Sequence, residues 1–274
     1  MRVRIATEPA PGRPANEDAA LHVGSVVGVF DGVTAPRDID CGCAHSPAWY
    51  VQRLTHRLTE VATEQPTAGL SDTLAEAIER VRDDHAGRCD LDNPATPAAT
   101  VCLIRPTGDQ LDYLILSDCT LAVDQGRTVT VLTDERFATA VAELRREALA
   151  PGGTTLPVGR TPGKYALTNQ PDGYWIAASN PDAARHAITG ALDLRGPNRV
   201  RRAALLTDGA SCAVEEYALM DWRQLLDLLT ADGPDELIRR VRQAENADPT
   251  GTEHPRYKRH DDATAALCIF EEHP

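Results

Sequence analysis

Short apolar runs recur along the whole chain, and Gly, Pro, Asp or Asn bounds each of them. Many of these runs are rich in β-branched residues, and such segments are typical of β-strands. Residues 106–110 contain Gly108 and join two of the runs, which predicts a β-hairpin. The predicted strands are residues 3–6, 25–30, 100–105, 111–116, 128–132, 174–178, 203–207 and 264–270.

Apolar residues at helical spacing predict a second set of elements. Tyr50, Leu54, Leu58 and Val61, for example, fall on one face of a helix. The predicted helices are residues 47–62, 71–84, 134–149, 181–191, 225–229 and 235–244. Because strands and helices come in groups, the order favours antiparallel sheets sandwiched by helices over a repeating βαβ fold. The sequence shows neither an internal repeat nor a long low-complexity linker, so we expect one domain spanning residues 1–274.

Composition narrows the functional classes. The chain has 274 residues, 42% of them hydrophobic, which allows a substantial core. Its net charge of -13 argues against nucleic acid and against anionic membrane surfaces as partners. No apolar stretch is long enough to cross a bilayer, and residues 1–5 are too polar for a signal peptide. We therefore expect a cytoplasmic protein without a membrane partner.

Seven scattered cysteines fit that compartment. Several fall inside predicted strands, where a free thiol packs as a small hydrophobic group. Cys41, Cys43 and His45 raise the alternative of a zinc site, but a single residue between two thiols is not the usual ligand spacing. No second cysteine pair completes such a site in the sequence, so we favour free thiols.

The main chemical signal is acidic. Four short acidic signatures lie where an apolar run meets a polar turn: residues 16–18, Asp31 with Gly32, Asp208 with Gly209, and Asp261 with Asp262. A single Asp-Gly pair is usually a turn, but four acidic sites at strand ends are less easily explained that way. If they converge, the like charges need a cation between them. Oxygen ligands favour Mg²⁺ or Mn²⁺ over zinc. We expect Gly32 to turn the backbone sharply, so that a main-chain carbonyl group faces the position of this cation.

The ordered set of motifs resembles the metal-dependent serine/threonine protein phosphatases of the PP2C (PPM) family, and in particular a divergent bacterial-type member. Residues 13–19 are similar to the family's Arg-x-x-Asn-x-Asp-Ala opening, and residues 29–32 to its first metal motif. Residues 98–101 are similar to its threonine-rich strand start. Residues 206–209 and 261–264 are similar to its last two metal motifs. The resemblance runs from Arg13 to Phe270.

The resemblance implies an α+β fold, a four-layer α/β/β/α sandwich with two central antiparallel β-sheets flanked by helices. It implies two Mg²⁺ or Mn²⁺ ions, with a third ion at Asp118 as in bacterial members. Asp31 would bridge the two ions, and Arg13 would hold the substrate phosphate through its guanidinium fork. The remaining implied ligands are the Gly32 carbonyl, Asp208 and Asp261, with Glu17 and Asp18 acting directly or through water.

The implied activity is hydrolysis of phosphoserine or phosphothreonine in proteins by a metal-bridging hydroxide. Two alternatives remain open: a catalytically weak regulatory or phosphopeptide-binding module, and a phosphatase of a small phosphate ester. The chain departs from the family pattern at Val33, where some members carry a histidine, and in the following residues 34–36. Ser117 and Cys119 depart from the Gly-Asp-Ser motif around Asp118. His260 is a further candidate for the proton donor.

Overall fold

The computed structural model describes residues 1–33, 39–148, 163–254, 256 and 258–271. The strands are β1 (Arg2–Glu8), β2 (Asp18–Val23), β3 (Val26–Gly32), β4 (Ala99–Thr107), β5 (Gln110–Leu116), β6 (Thr120–Asp124), β7 (Val129–Leu132), β8 (Ile188–Asp193), β9 (Arg202–Leu206) and β10 (Ala263–Ile269). The α-helices are α1 (Pro47–Glu64), α2 (Leu70–Asp84), α3 (Arg136–Ala148), α4 (Asp208–Glu215), α5 (Trp222–Ala231) and α6 (Pro234–Ala247).

Two antiparallel sheets form the centre of the molecule. The first sheet has the strand order β2-β3-β4-β5-β8, and the second has the order β1-β10-β9-β6-β7. The chain passes from the first sheet to the second between β5 and β6, at Ser117 and Asp118. Ser117 lies there in the left-handed region, with φ +67°. This crossing places the loop that carries Asp118 at the junction of the two sheets.

Apolar side chains on both faces of each sheet create four layers. Val29 and Ile104 of the first sheet pack with Leu121 and Leu205 of the second, and this cluster fills the space between the sheets. The α1–α2 pair covers the outer face of the first sheet. Helices α4, α5 and α6 cover the outer face of the second. The predicted α+β sandwich with two antiparallel sheets flanked by helices is therefore confirmed.

Two predicted elements are wrong. Residues 174–178 form no regular strand; they make an isolated bridge to the start of β4, and they are apolar because they are buried. Residues 181–191 form no α-helix. Pro181–His186 is a 3₁₀ turn capped by the Asn180 side chain, and the chain then extends into β8. Because β8 is an exposed edge strand, it lacks the apolar alternation that identifies the buried strands.

The remaining predicted strands and helices lie within a few residues of their observed positions, and the hairpin at Gly108 joins β4 to β5. In the described parts of the chain, no helix combines the length and the hydropathy that a bilayer span requires. The expectation of a single domain over residues 1–274 stays a prediction. The sequence departure at residues 34–36 lies outside the described residues.

Candidate metal centre

Acidic side chains from both sheets meet at one edge of the sandwich. Asp18 begins β2, and Asp31 lies opposite it in the β2–β3 register. Asp208 begins α4 directly after β9, and Asp261 lies two residues before β10. Asp118 occupies the crossing between the sheets. The structure thus brings five of the predicted acidic residues together at this edge: Asp18, Asp31, Asp118, Asp208 and Asp261.

The electrostatics of the cluster show how closely these groups interact. Burial, and then the charges of Asp208, Asp18, Asp261 and Asp118, raise the pKa of Asp31 well above its usual range. Desolvation within the cluster, and then the charges of Asp261 and Asp118, likewise raise the pKa of Asp208, although this residue is exposed to solvent on one side. Burial also raises the pKa of Asp118, with Asp134 and Asp261 contributing. A cation among these side chains would relieve the repulsion that shifts them.

Asp18 is buried, but only one of its two carboxylate oxygens accepts a hydrogen bond from the described residues. Burial raises its pKa to about 7, against the hydrogen bond that its Oδ2 accepts from Thr207 Oγ1 at 2.8 Å. Its Oδ1 is buried and has no hydrogen-bond partner among the described residues. A buried carboxylate oxygen without a donor is expensive to keep. The donor set of carboxylate oxygens and this orphaned atom both fit a hard divalent cation.

The glycine of each Asp-Gly pair is explained by a close approach of backbones. A Cβ on Gly32 would lie 2.5 Å from the Glu17 carbonyl oxygen, and one on Gly209 would overlap the Asp262 carbonyl oxygen. The Gly32 amide donates to that same Glu17 oxygen at 2.9 Å. The expectation that Gly32 turns the chain sharply is wrong, because Gly32 is the last residue of β3.

The second aspartate of the Asp261–Asp262 pair anchors the N-terminal segment. Asp262 is buried, and its two oxygens accept the backbone amides of Ala10 and Glu17, both at 2.6 Å. These bonds fix the backbone that carries Glu17 and Asp18 next to β10. Asp262 therefore has a structural role. Asp261 instead adds its charge to the acidic cluster, where it acts on Asp31 and Asp208.

Arg13 and Glu17 pair with each other at the rim of this cluster. Arg13 Nη1 donates to Glu17 Oε2 at 2.8 Å, and both side chains are partly exposed. The Arg13 guanidinium thus pairs with Glu17, the residue directly before Asp18, and its phosphate-binding role stays a prediction.

Sequence reasoning missed Lys258. Its Nζ lies 2.8 Å from Asp261 Oδ1 and 2.9 Å from Oδ2. Burial alone would lower the pKa of Lys258, but Asp261, Asp31 and Asp208 together raise it above its usual value. The amine therefore partly neutralises the same carboxylates that the sequence assigns to metal binding. A lone lysine three residues before Asp261 was the only sequence signal.

The other departures from the family pattern have clear packing roles. Val33 packs beside Tyr174 and Ala98 in a small apolar cluster, so no titratable group occupies that position. The Cys119 thiol is buried and lies 2.9 Å from Thr100 Oγ1. His260 places Nδ1 2.7 Å from Glu245 Oε2 of α6.

Comparison with known proteins identifies the fold. No family model and no curated protein matches the sequence. Among solved structures, the PPM Ser-Thr phosphatase MsPP from Mycobacterium smegmatis, in complex with cacodylate, matches with a TM-score of 0.59 at 19% identity, over 99% of both chains. The Mycobacterium tuberculosis phosphatase PstP/Ppp matches with a TM-score of 0.61 at 15% identity, over 99% of both chains.

A further match is the catalytic domain of the serine threonine protein phosphatase PstP in complex with 2 manganese ions. It has a TM-score of 0.57 at 15% identity and covers 97% of this chain and 96% of that one. These similarities agree with the resemblance found in the motifs. Because the identities are below 20%, they establish the shared fold. The chain has the fold of the PPM serine/threonine phosphatases.

Proposed function

We propose that the protein is a metal-dependent phosphomonoesterase that removes phosphate from phosphoserine or phosphothreonine in proteins. The observation that carries this proposal is the meeting of Asp18 and Asp31 from one sheet with Asp208 and Asp261 from the other. The fold shared with phosphatases supports it. Mg²⁺ or Mn²⁺ is the proposed cofactor, because the donors are carboxylate oxygens and one structural neighbour is described with 2 manganese ions.

The bound ions would act as Lewis acids and lower the pKa of water beside the phosphorus. Asp31 feels the charges of carboxylates carried by both sheets, so it is the proposed ligand that the two ions would share, and the Gly32 carbonyl would be a further ligand. Asp208 and Asp261 would complete the set from the second sheet. Asp18 would act through its unpartnered Oδ1, and Glu17 would act from the rim.

Arg13 is the proposed phosphate anchor. Its guanidinium is held by Glu17 at 2.8 Å, next to the backbone that carries Asp18. An arginine fork suits two phosphate oxygens, and the ion pair with Glu17 fixes its orientation. Asp118, at the crossing between the sheets, is proposed as a ligand of an additional ion.

Protonation of the leaving group needs a donor other than residue 33. Val33 carries no proton and packs into an apolar cluster. His260 Nδ1 faces the Glu245 carboxylate, to which it can only donate, so Nε2 can serve as the candidate proton donor only while the ring carries both protons. We therefore expect activated aryl phosphates, whose leaving groups need no proton, to be better substrates than alkyl phosphates.

We prefer the enzyme to the two alternatives. A regulatory module without turnover would not need the full carboxylate set, and this chain keeps it. We also prefer a phosphoprotein to a small phosphate ester as the physiological substrate, because both structural neighbours are serine/threonine phosphatases. A cytoplasmic location is proposed from the seven free cysteines.

The test is hydrolysis of p-nitrophenyl phosphate and of phosphoserine and phosphothreonine peptides, with and without Mn²⁺. The wild-type chain should require the ion, and Asp31→Asn should lose at least about 100-fold in kcat, as expected when a group acting on the transition state is removed. Arg13→Ala should chiefly raise KM. Wild-type protein that is folded and loaded with Mn²⁺ but hydrolyses none of these substrates would refute the proposal.

A further inference from the structure

A second cluster of metal-binding side chains lies where α1 begins and α2 ends. Cys43 and His45 directly precede α1, His85 is the C-cap residue of α2, and Cys89 follows four residues later. One ligand atom from each of these four residues lies within 4.8 Å of the other three. They bring two thiols and two imidazoles to one point, and none of them belongs to the acidic site.

The distances are close to those of a tetrahedral zinc site. Cys43 Sγ and Cys89 Sγ each lie 3.4 Å from His45 Nδ1. Zinc–sulfur bonds of about 2.3 Å and zinc–nitrogen bonds of about 2.0–2.1 Å place ligand atoms roughly 3.3–3.8 Å apart in a tetrahedron. The two sulfurs lie 2.9 Å from each other, so they need to separate by less than about 1 Å to reach that geometry.

His85 is oriented as a metal ligand would be. Its Nδ1 lies 2.9 Å from the Val81 carbonyl oxygen, which can only accept a hydrogen bond, so the proton sits on Nδ1. This leaves Nε2 as the atom with a lone pair. Nε2 is buried, and it has no hydrogen-bond partner among the described residues. A zinc-bound histidine commonly donates its other nitrogen to a backbone carbonyl in this way.

The surrounding chain holds the ligands in place. The Asp90 amide donates to the Gly42 carbonyl at 2.8 Å, which ties the loop of Cys43 to the loop of Cys89. Gly42 makes this possible at φ +65°. The Trp49 ring stacks on His45 at 3.8 Å and meets His85 edge-on at 4.8 Å, and so covers one side of the cluster.

The spacing of Cys41 and Cys43 misled the sequence interpretation. Cys41 directs its thiol to the Cys43 carbonyl oxygen at 3.2 Å and takes no part in the cluster. The missing ligands come instead from His85 and Cys89, about forty residues further along the chain. Only the α1–α2 hairpin brings the two halves together.

We propose that Cys43, His45, His85 and Cys89 bind one structural Zn²⁺ ion that ties the start of α1 to the end of α2. Four protein ligands leave no open position, which is typical of structural rather than catalytic zinc. Thiolate and imidazole donors select a softer metal than the carboxylates of the acidic site do. The chain would thus hold two kinds of metal in two separate places.

The site has a structural consequence for the acidic edge. Val51 lies one turn into α1, and its Cγ2 would be 3.1 Å from a Cβ placed on Gly32. The helix that the zinc ion anchors therefore packs directly behind the strand end that carries Asp31. Removal of zinc should loosen this helix and lower the melting temperature even when no Mn²⁺ is present.

The test is metal analysis of protein purified under reducing conditions without chelator. Wild type should carry about one zinc per chain, and the Cys43→Ser/Cys89→Ser double variant should carry none. Cys41→Ser is the matched control and should keep its zinc. Asp31→Asn should keep it too, which separates this site from the acidic one and from the proposed phosphatase activity.

Replacement of zinc by Co²⁺ provides a second measurement on the unmutated chain. The wild type should then show the intense visible bands of tetrahedral cobalt and a thiolate-to-cobalt charge-transfer band. Wild-type protein that lacks zinc, binds no Co²⁺ through thiolates, or forms a Cys43–Cys89 disulfide in place of metal binding would overturn the proposal.

Discussion

Lys258 Nζ contacts both carboxylate oxygens of Asp261, at 2.8 and 2.9 Å, inside the cluster proposed to hold divalent cations. A lysine amine and a metal ion compete for the same oxygens, because both are cations. The chain therefore carries its own counter-charge, which stabilises the metal-free cluster and opposes metal binding.

Removal of that charge should tighten metal binding. We expect Lys258→Gln to lower the Kd for Mn²⁺ roughly fivefold, equivalent to about 1 kcal/mol for one partly exposed ion pair. Isothermal titration calorimetry measures this directly. Lys258→Arg keeps the charge and should change the Kd little. Weaker Mn²⁺ binding by Lys258→Gln would mean that the amine shapes the site instead of competing for it.

The stability of the metal-free protein should fall as the pH rises. The folded pKa of Asp18 is raised to about 7, so the folded state holds a proton that the unfolded chain loses near pH 4. The stabilisation is complete below the unfolded pKa and is lost as the pH passes through 7. Between pH 5.5 and 8 this one group accounts for about 2 kcal/mol of unfolding free energy.

Chemical denaturation in the presence of chelator, at several pH values, checks this expectation. Asp18→Asn removes one of the titrating carboxyl groups, and the profile should become less steep by about the 2 kcal/mol assigned to Asp18, while Asp31, Asp118 and Asp208 still contribute. Added Mn²⁺ should flatten it as well, because a bound cation keeps the carboxylates charged in the folded state. Metal-free wild type that grows more stable from pH 5.5 to 8 would contradict the assigned shift.

The Asp-Gly pairs should tolerate no side chain on the glycine. A Cβ on Gly209 would overlap the Asp262 carbonyl oxygen, and backbone cannot yield as a flexible side chain can. Gly209→Ala should cost about 3 kcal/mol, at the upper end of the usual cost of overpacking. Gly69→Ala is the control, since its Cβ would meet nothing closer than 3.5 Å. Equal melting temperatures for the two variants would rule out the close approach.

The crossing between the sheets should prefer glycine to alanine. Ser117 has φ +67°, a conformation that costs an L-residue about 1–2 kcal/mol and glycine much less. We expect Ser117→Gly to be more stable than Ser117→Ala by about 0.5–1 kcal/mol after the entropy cost of glycine. Thermal unfolding of the two variants decides it. The reverse order would show that the entropy cost of glycine exceeds the strain of the left-handed backbone at residue 117.

The sequence predicted what local patterns encode. Buried strands such as β3 and β4 appear as apolar runs, and the aspartates at strand ends mark the acidic edge. The sequence analysis missed strands β2, β6 and β8 and helix α4. The edge strand β8 has only one neighbour and little core to enforce an apolar pattern, whereas β6 is buried but only five residues long. Lys258, and the pairing of Cys43 with Cys89, could not be predicted, since each depends on contacts set by tertiary structure.

The most direct test of the proposed metal centre is a crystal of this protein grown with Mn²⁺ and measured for anomalous scattering at the manganese edge. We expect two strong peaks bounded by Asp31, Asp208 and Asp261, with the Lys258 amine withdrawn from Asp261. A map with no manganese among these carboxylates, and Lys258 still bound to Asp261, would contradict it.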